Sequence, residues 1–267
     1  MSNVINTNVK SIMAQNALTT NNRSLEKAMQ QLSTGKRING AKDDAAGLAI
    51  SETMTAQIRG LNQAVRNSND AVSMLQTAEG ALIETTNMLQ RMRELAVQAA
   101  NGTLSSDQVG YLDDEYTALK NAITSVAENT KWNGQSVLNT TATVTYQVGA
   151  DSSNTIAFTF AVMTAGALTI SATLGAASTA IGEVNDALDA VADQRGMLGA
   201  TINQLGYMAD NMANVSMNTS ASRSRILDTD YAQATTELAR TQIIQQAATA
   251  MLAQANQQPQ AVLALLK

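Results

Sequence analysis

LNQAVRNSNDAVSMLQTAEGALIETTNMLQRMRELA, residues 61–96, carries a small or apolar side chain at every seventh position. The repeat consists of Leu61, Ser68, Leu75, Leu82, Leu89 and Ala96. A period of seven keeps these side chains on one face of an α-helix, where a second helix can cover them. The segment from about Lys42 to the stop at Asn101-Gly102 is therefore predicted to be one long helix with a packing seam.

Two more helices are predicted downstream of this repeat. Ser105 followed by Gln108 is a capping-box pair, which predicts a helix that ends near Asn129. A second seven-residue repeat runs through Val184, Val191, Leu198, Leu205 and Met212. Because proline and aromatic residues are scarce, we expect a mainly α fold, an elongated antiparallel helical bundle or coiled coil.

A short segment between these helices changes to the two-residue period of strands. Val144, Tyr146 and Val148 alternate with polar residues, and a second alternating run starts at Ile156. Turn-forming residues at 149–154 separate the two runs. We expect a small β-hairpin region within residues 139–179. The simplest interpretation is a plain surface hairpin on the helical bundle, and the alternative is a segment that neighbouring subunits cover or that is chemically modified.

Both ends of the chain combine helical spacing with almost no charge. Residues 241–266 contain no ionisable side chain, and residues 1–22 contain only Lys10. The apolar stripe positions are Leu18, Leu25, Met29 and Leu32 near the start, and Ile244, Ala248, Met251 and Ala255 near the end. Stripes this narrow suit burial among neighbouring copies, so we predict that these residues serve polymerisation.

The composition argues against several classes of function. The net charge of −5 argues against a nucleic-acid partner, which needs a basic surface. The absence of Cys and His removes thiolate nucleophiles, zinc-thiolate sites and the commonest general base, so we expect no catalytic residue, no metal, no cofactor and no enzyme. The chain contains no run of 18 or more apolar residues, so we expect no membrane insertion. The start, MSNVINTNVK, lacks the pattern of a cleaved signal peptide.

Several longer motifs resemble bacterial flagellin. They are LSTGKRINGAKDDAAGLAI at 32–50, QRMRELAVQAANGT at 90–103, NGQSVL at 133–138 and the tail that starts SRILDTDYAQATTELAR at 224. The resemblance covers nearly all of 1–138 and about 180–267, in the expected order. It implies an inner-core domain of residues 1–42 paired with 228–267, and an outer-tube domain of residues 43–227. Within the outer-tube domain, 139–179 is then a short variable segment.

The resemblance also implies a function. A flagellin is a structural subunit that is exported unfolded, without a cleaved signal peptide, and polymerises with itself at the distal tip. The product is the extracellular flagellar filament used for motility. The implied partners include the flagellar cap, junction proteins and an export chaperone. A hook–filament junction protein, which shares the terminal motifs, is the alternative.

One further implication concerns recognition by animals. Residues 89–95 together with Glu115 resemble the surface that the vertebrate flagellin-sensing Toll-like receptor binds. The candidate contact residues are Leu89, Gln90, Arg91, Glu94, Leu95 and Glu115. The same residues also have a structural interpretation, because Leu89 lies on the seven-residue repeat and Arg91 can pair with Glu94 three residues along the helix.

Overall fold

The chain is mainly α-helical with a small β region, as the repeats predict. The computed structural model describes the backbone of residues 7–265 and the side chains of residues 7–257, so residues 1–6 and 266–267 of the expected inner-core ranges lie outside the described residues. The helices are α1 (Val9–Thr34), α2 (Ala45–Ala99), α3 (Ser106–Asn129), α4 (Ala177–Leu227) and α5 (Tyr231–Leu265). The strands are β1 (Lys131–Trp132), β2 (Gln135–Ser136), β3 (Thr143–Gln147) and β4 (Thr155–Thr159), and a short 3-10 helix spans Leu174–Ala176.

Contacts within the chain define two compact units. One unit consists of Met1–Ala56 together with Asn218–Lys267, and it contains the helix pair α1 and α5. The other unit consists of Gln57–Met217. Each unit has its own packing.

In the unit 57–217, the two seven-residue repeats form the core that the sequence predicts, except that Met212, the last position of the second repeat, is only half-buried. All six residues of the first repeat are buried, as are Val184, Val191, Leu198 and Leu205 of the second. Hydrogen bonds from Arg93 to Asn185 and from Ser216 to Asn62, both 2.8 Å, show that α2 and α4 run antiparallel. Burying these aliphatic side chains along both helices stabilises the unit, since each contributes about 1.5–3 kcal/mol.

Helix α3 starts with the predicted capping box. The backbone N–H of Gln108 donates to Ser105 Oγ at 3.3 Å, and the backbone N–H of Ser105 donates to Gln108 Oε1 at 2.9 Å. Two of the N–H groups that a helix start leaves without a partner are thereby satisfied. Tyr116 and Ile123 of this helix are fully buried, so α3 joins the same core as α2 and α4.

The predicted β segment forms the antiparallel pair β3–β4, in which Tyr146 lies opposite Ile156. It is not a plain surface hairpin, because one face of it belongs to the core. Tyr146, Ile156 and Phe158 are buried, and the Tyr146 hydroxyl donates to the sulfur of Met74 at 3.5 Å. Because strand side chains alternate between two faces, one apolar face suffices to cover the helices while the threonines face outward.

Candidate polymerisation and receptor-contact surfaces

In the other unit, α1 packs against α5 along a contact line that has apolar residues at ten positions and polar residues at four. The buried or half-buried residues of α1 that follow the spacing of three and four are Ser11, Ala14, Leu18, Asn21, Leu25, Ala28 and Leu32. Those of α5 are Ala234, Leu238, Thr241, Gln245, Ala248, Leu252 and Ala255. This is the spacing of a helix pair, but several of its positions carry amides and hydroxyls.

Side-chain hydrogen bonds fix the register of this pair. Asn21 Nδ2 donates to the backbone carbonyl of Thr241 at 2.8 Å, in a buried position. Nearer the end of the pair, Asn8 Nδ2 donates to the carbonyl of Ala255 at 2.7 Å. A buried amide in a helix seam specifies one register and lowers stability relative to an apolar residue. The α1–α5 pair is therefore specific in its register, and polar residues interrupt its seam of leucines and alanines.

Large apolar side chains lie on the outside of the same pair. We call them the exposed apolar set, and they are Val9, Ile12, Met13, Met29, Ile243, Ile244 and Met251. A helix that folds only onto its own chain places its apolar stripe inward and its polar residues outward. Here polar groups occupy part of the inner line and apolar groups the exposed sides, an arrangement that suits further burial by other molecules.

The structure divides the predicted polymerisation residues between these two locations. Leu18, Leu25, Leu32, Ala248 and Ala255 are half-buried on the α1–α5 contact line. Met29, Ile244 and Met251 are exposed and belong to the exposed apolar set.

The predicted stripe on α5 does not follow the contact line throughout. The line passes through Gln245 and Leu252, each one residue further along the chain than Ile244 and Met251. One residue is about 100° of rotation around a helix, which turns Ile244 and Met251 away from α1. Asn21, Thr241 and Gln245 were not predicted, and their only signal is that they continue the three-and-four spacing of the neighbouring leucines and alanines.

Hydrogen bonds join the segment that follows α1 to the segment that precedes α5. Gly35 ends α1 with a left-handed φ of 70°, which favours glycine. The backbone N–H of Arg37 donates to Leu227 O at 2.7 Å, and its guanidinium Nη2 donates to Ile226 O, also at 2.7 Å. These bonds satisfy carbonyls at the C-terminus of α4 that lack helical partners. Asp230 then starts α5 by accepting from the backbone N–H of Ala232 at 2.9 Å.

In the unit 57–217, Arg91 bridges two carboxylates on the surface of α2 and α3. Its Nη1 lies 3.0 Å from Glu94 Oε2, and its Nη2 lies 2.8 Å from Glu115 Oε1. Hydrogen bonds to Glu94 and Glu115 raise the pKa of Arg91 above its ordinary value. All three side chains are exposed, as is Gln90, so they present a mixed-charge patch that an external protein can contact.

Leu89 and Leu95, the two apolar members of the predicted receptor-contact set, do not lie on this patch. Both side chains are fully buried in the core of the unit. As the chain is folded they offer no surface to a partner, because the seam that holds α2 against its neighbours already covers them. Their effect on any contact is therefore to hold the helix that carries Gln90, Arg91 and Glu94.

Two acidic residues, Asp113 and Glu183, bind backbone groups within the unit 57–217. Asp113 accepts from the backbone N–H of Leu174 at 2.7 Å, and Glu183 accepts from the backbone N–H of Ser171 at 2.7 Å. Burial raises the pKa of Glu183, but its hydrogen bonds to Ala172 and Ser171 outweigh burial and leave the pKa lowered. Burial, with help from Glu183 and Asp113, raises the pKa of Tyr116 to about 12.

Two further properties concern metals and membranes. Among the residues that the structure describes, no group of three or more acidic side chains is arranged to hold a metal ion. No helix in the described part of the chain is long and apolar enough to cross a membrane.

Two family models match most of the chain. Residues 5–143 match the bacterial flagellin N-terminal helical region, and residues 181–266 match the bacterial flagellin C-terminal helical region. The residues between the two matches contain β4 and all of β3 except Thr143.

Individual proteins give the same result. A flagellin of Halalkalibacterium halodurans is 46% identical over 271 residues, covering 99% of this chain and 100% of that protein. The crystal structure of Bacillus cereus flagellin has a TM-score of 0.50 at 34% identity, covering 55% of this chain and 88% of that one. A putative flagellar hook-associated protein from Vibrio parahaemolyticus has a TM-score of 0.58 and covers 70% of this chain and 100% of its own, but at 14% identity it shows the fold alone.

The helical seams, the paired ends and both family matches point to one conclusion. The chain belongs to the bacterial flagellin family and is a structural subunit of the flagellar filament, not an enzyme.

Proposed function

We propose that this chain polymerises through its terminal helices, with residues 1–42 and 228–267 as the inner-core domain and residues 43–227 as the outer-tube domain. The observation that carries the proposal is the α1–α5 pair, whose contact line is partly polar while the exposed apolar set faces solvent. Neighbouring copies in a filament cover that set and supply the burial that the pair does not make alone. The polymer is the extracellular filament that drives motility.

The ends of the helices support the proposed domain boundaries. Helix α1 ends at Thr34 and α2 starts at Ala45, while α4 ends at Leu227 and α5 starts at Tyr231. The breaks at 35–44 and 228–230 contain the proposed limits at 42 and 228, whereas the two compact units divide at 56/57 and 217/218, inside α2 and α4. The hydrogen bonds of Arg37 to the end of α4 hold the two breaks together. The end of α1 and the start of α5 are therefore held close to each other.

The partly polar and mostly half-buried seam of the α1–α5 pair also supports export of an unfolded chain. Terminal segments with few buried apolar side chains gain most of their stability only when neighbours cover them, so ordering coincides with assembly at the distal tip. Before assembly, an export chaperone is the partner that we propose for the exposed termini. At the two ends of the filament, we propose the flagellar cap and the junction proteins as further partners.

Deletion of residues 228–267 tests the polymerisation proposal. The core of the unit 57–217 contains no residue of the deleted segment, so the shortened chain should stay helical and soluble. It should form no filaments at concentrations where the full chain does, because α1 loses its partner and three of the seven residues of the exposed apolar set are removed. Circular dichroism checks the helices, and electron microscopy of seeded samples checks assembly. Long filaments from the shortened chain would refute the proposal.

A second role, as a ligand of the vertebrate flagellin-sensing Toll-like receptor, is favoured by the patch around Arg91. The guanidinium lies between Glu94 and Glu115, which fixes its position across two helices, and all three side chains are exposed. A charged group that its neighbours already orient loses little conformational freedom on binding, so it is well suited to a specific contact. The proposed contact residues are thus Gln90, Arg91, Glu94 and Glu115. Leu89 and Leu95, which are buried in the core, hold the helix that carries the first three.

A reporter-cell assay of receptor activation tests this second role. Arg91→Ala should lower the potency of the soluble chain by at least tenfold, about 1.4 kcal/mol of contact energy. Arg66→Ala is the matched control, because Arg66 is an exposed arginine of the same helix that bonds only within it, to Gln63. Equal potency of both variants would remove Arg91 from the contact.

The alternative function, a hook–filament junction protein, predicts a different abundance. A junction protein forms a short collar, whereas a filament subunit makes up nearly all of the polymer. The mass fraction of this chain in purified filaments, measured by quantitative mass spectrometry, separates the two. A trace amount confined to the filament base would favour the junction role.

A further inference from the structure

We propose that Met13, Met29 and Met251 are sites of reversible oxidation to methionine sulfoxide, and that this modification keeps a free subunit from joining the filament. The inference rests on the proposed polymerisation surface, since all three residues belong to the exposed apolar set. It assigns that surface a chemical means of regulation.

Exposure separates the methionines of this chain into reactive and protected groups. The relative exposure is 67% for Met13, 66% for Met251 and 51% for Met29, against 5% for Met74, 3% for Met163 and 0% for Met92. An oxidant in solution must reach the sulfur atom, so the first three react before the last three. Met197 and Met217 are also exposed, but they lie in the unit 57–217 and outside the terminal helices.

The register of the α1–α5 pair brings two of these methionines to a similar level. The bonds of Asn21 to Thr241 and of Asn8 to Ala255 bracket Met13 on α1 and Met251 on α5. The two sulfur atoms therefore belong to one stretch of the helix pair. Oxidation of both adds two polar oxygens to the same part of the proposed interface.

The chemistry requires only a peroxide. A sulfur lone pair attacks one oxygen of hydrogen peroxide, the O–O bond breaks, and the released hydroxide leaves as water after proton transfer. The thioether is oxidised by two electrons to the sulfoxide while the peroxide is reduced to water. The chain has no cysteine, so methionine supplies its only sulfur atoms. Methionine sulfoxide reductases, which draw electrons from thiols, reverse the step.

The modification changes assembly through burial. A methionine side chain is apolar and flexible and fills gaps between packed helices, whereas a sulfoxide is polar and needs a hydrogen-bond partner when it is buried. An oxidised subunit should therefore add less favourably to the filament end. We expect the critical concentration for polymerisation to rise at least tenfold when these positions are oxidised.

The experiment treats the soluble full-length chain with hydrogen peroxide, maps sulfoxides by peptide mass spectrometry and measures the critical concentration by sedimentation. Met13 and Met251 should be modified before Met74 and Met92, and treatment with the reductases should restore assembly. The triple variant Met13→Leu, Met29→Leu and Met251→Leu keeps the apolar volume, so it should polymerise equally with and without peroxide. The matched control, Met197→Leu with Met217→Leu, should stay sensitive to peroxide.

Two results would overturn the proposal. One is an unchanged critical concentration for a chain that carries sulfoxide at all three positions. The other is equal peroxide sensitivity of the triple leucine variant and the parent chain. If the triple variant does not assemble, Met13→Leu and Met251→Leu tested singly must each reduce the peroxide effect. The proposed function has its own separate test in the absence of peroxide, the deletion of residues 228–267.

Discussion

The exposed apolar set predicts how strongly assembly depends on two residues of α5, Ile243 and Met251. Their relative exposures are 67% and 66%, and neither lies on the contact line with α1. Complete burial of such a side chain contributes about 1.5–3 kcal/mol, so covering the exposed two-thirds contributes about 1–2 kcal/mol for each residue. Replacing both by serine should therefore weaken each addition of a subunit by about 2–4 kcal/mol.

This loss is large enough to measure as a change in critical concentration. Because 1.4 kcal/mol corresponds to a factor of ten, the double variant should need a concentration roughly 30- to 1,000-fold higher than the parent chain. The assay is sedimentation of seeded samples, with the protein left in the supernatant as the critical concentration. Circular dichroism of the soluble variant should match the parent, since the substitutions remove no core residue.

The matched control replaces Gln242 and Gln246, two exposed polar residues of the same helix, by serine. Both double variants share the lower helix propensity of serine, so only the apolar surface distinguishes them. Two exposed substitutions of this kind usually change stability by about 1 kcal/mol or less in total, which limits the control to about a fivefold effect. If the Ile243 and Met251 variant falls within that limit, these side chains are not buried in the polymer.

Further predictions concern the seams and one carboxylate. Leu205→Ala should lower the free energy of unfolding, measured by urea denaturation, by about 2–5 kcal/mol because Leu205 is fully buried. Tyr207→Ala, at an exposed position two residues away, should change it little. Equal losses for both variants would show that the seven-residue repeat is not the core. Asn21→Leu should increase amide-exchange protection of α1 in the soluble chain, because it replaces a buried amide in the seam by an apolar residue; unchanged protection would show that seam polarity does not limit the pair. Because the pKa of Glu183 is lowered in the folded chain, its bonds to Ser171 contribute stability above the ordinary value of 4.5 and lose it as the pH falls through the lowered pKa. Glu183→Gln should remove this part of the pH dependence, and thermal melts of both proteins between neutral and acidic pH measure it.

The sequence predicts the helical core well because one chain contains both sides of that core. Leu82 and Leu198 each repeat in a seven-residue register, and each finds a partner helix within residues 57–217. The strands at 143–159 were predicted for a similar local reason, their alternation. Their burial against the helices was missed, because alternation shows that a strand has an apolar face but not what covers it.

The terminal helices were harder to interpret for the opposite reason. An apolar position on α5 such as Ile244 can face α1 or another molecule, and the periodicity is the same in both cases. The contact line through Thr241 and Gln245 is set by tertiary hydrogen bonds that a single sequence does not reveal. For the patch at Arg91, helical spacing predicted the contact with Glu94, while the contact with Glu115 depends on the packing of α3 against α2.

The hydrogen bonds between the two halves of the chain also determine the order in which they can close. They are nested, with sequence separations of 154 residues for Asn62–Ser216, 168 for Thr55–Arg223, 220 for Asn21–Thr241 and 247 for Asn8–Ala255. Closing the outermost bond directly costs about 5 kcal/mol in length-dependent loop entropy. Once Asn21 and Thr241 have met, only 27 residues remain to be closed, and that cost falls to about 3 kcal/mol. We therefore expect these bonds to form in order from Asn62–Ser216 outward, with Asn8–Ala255 as the last of the four to close.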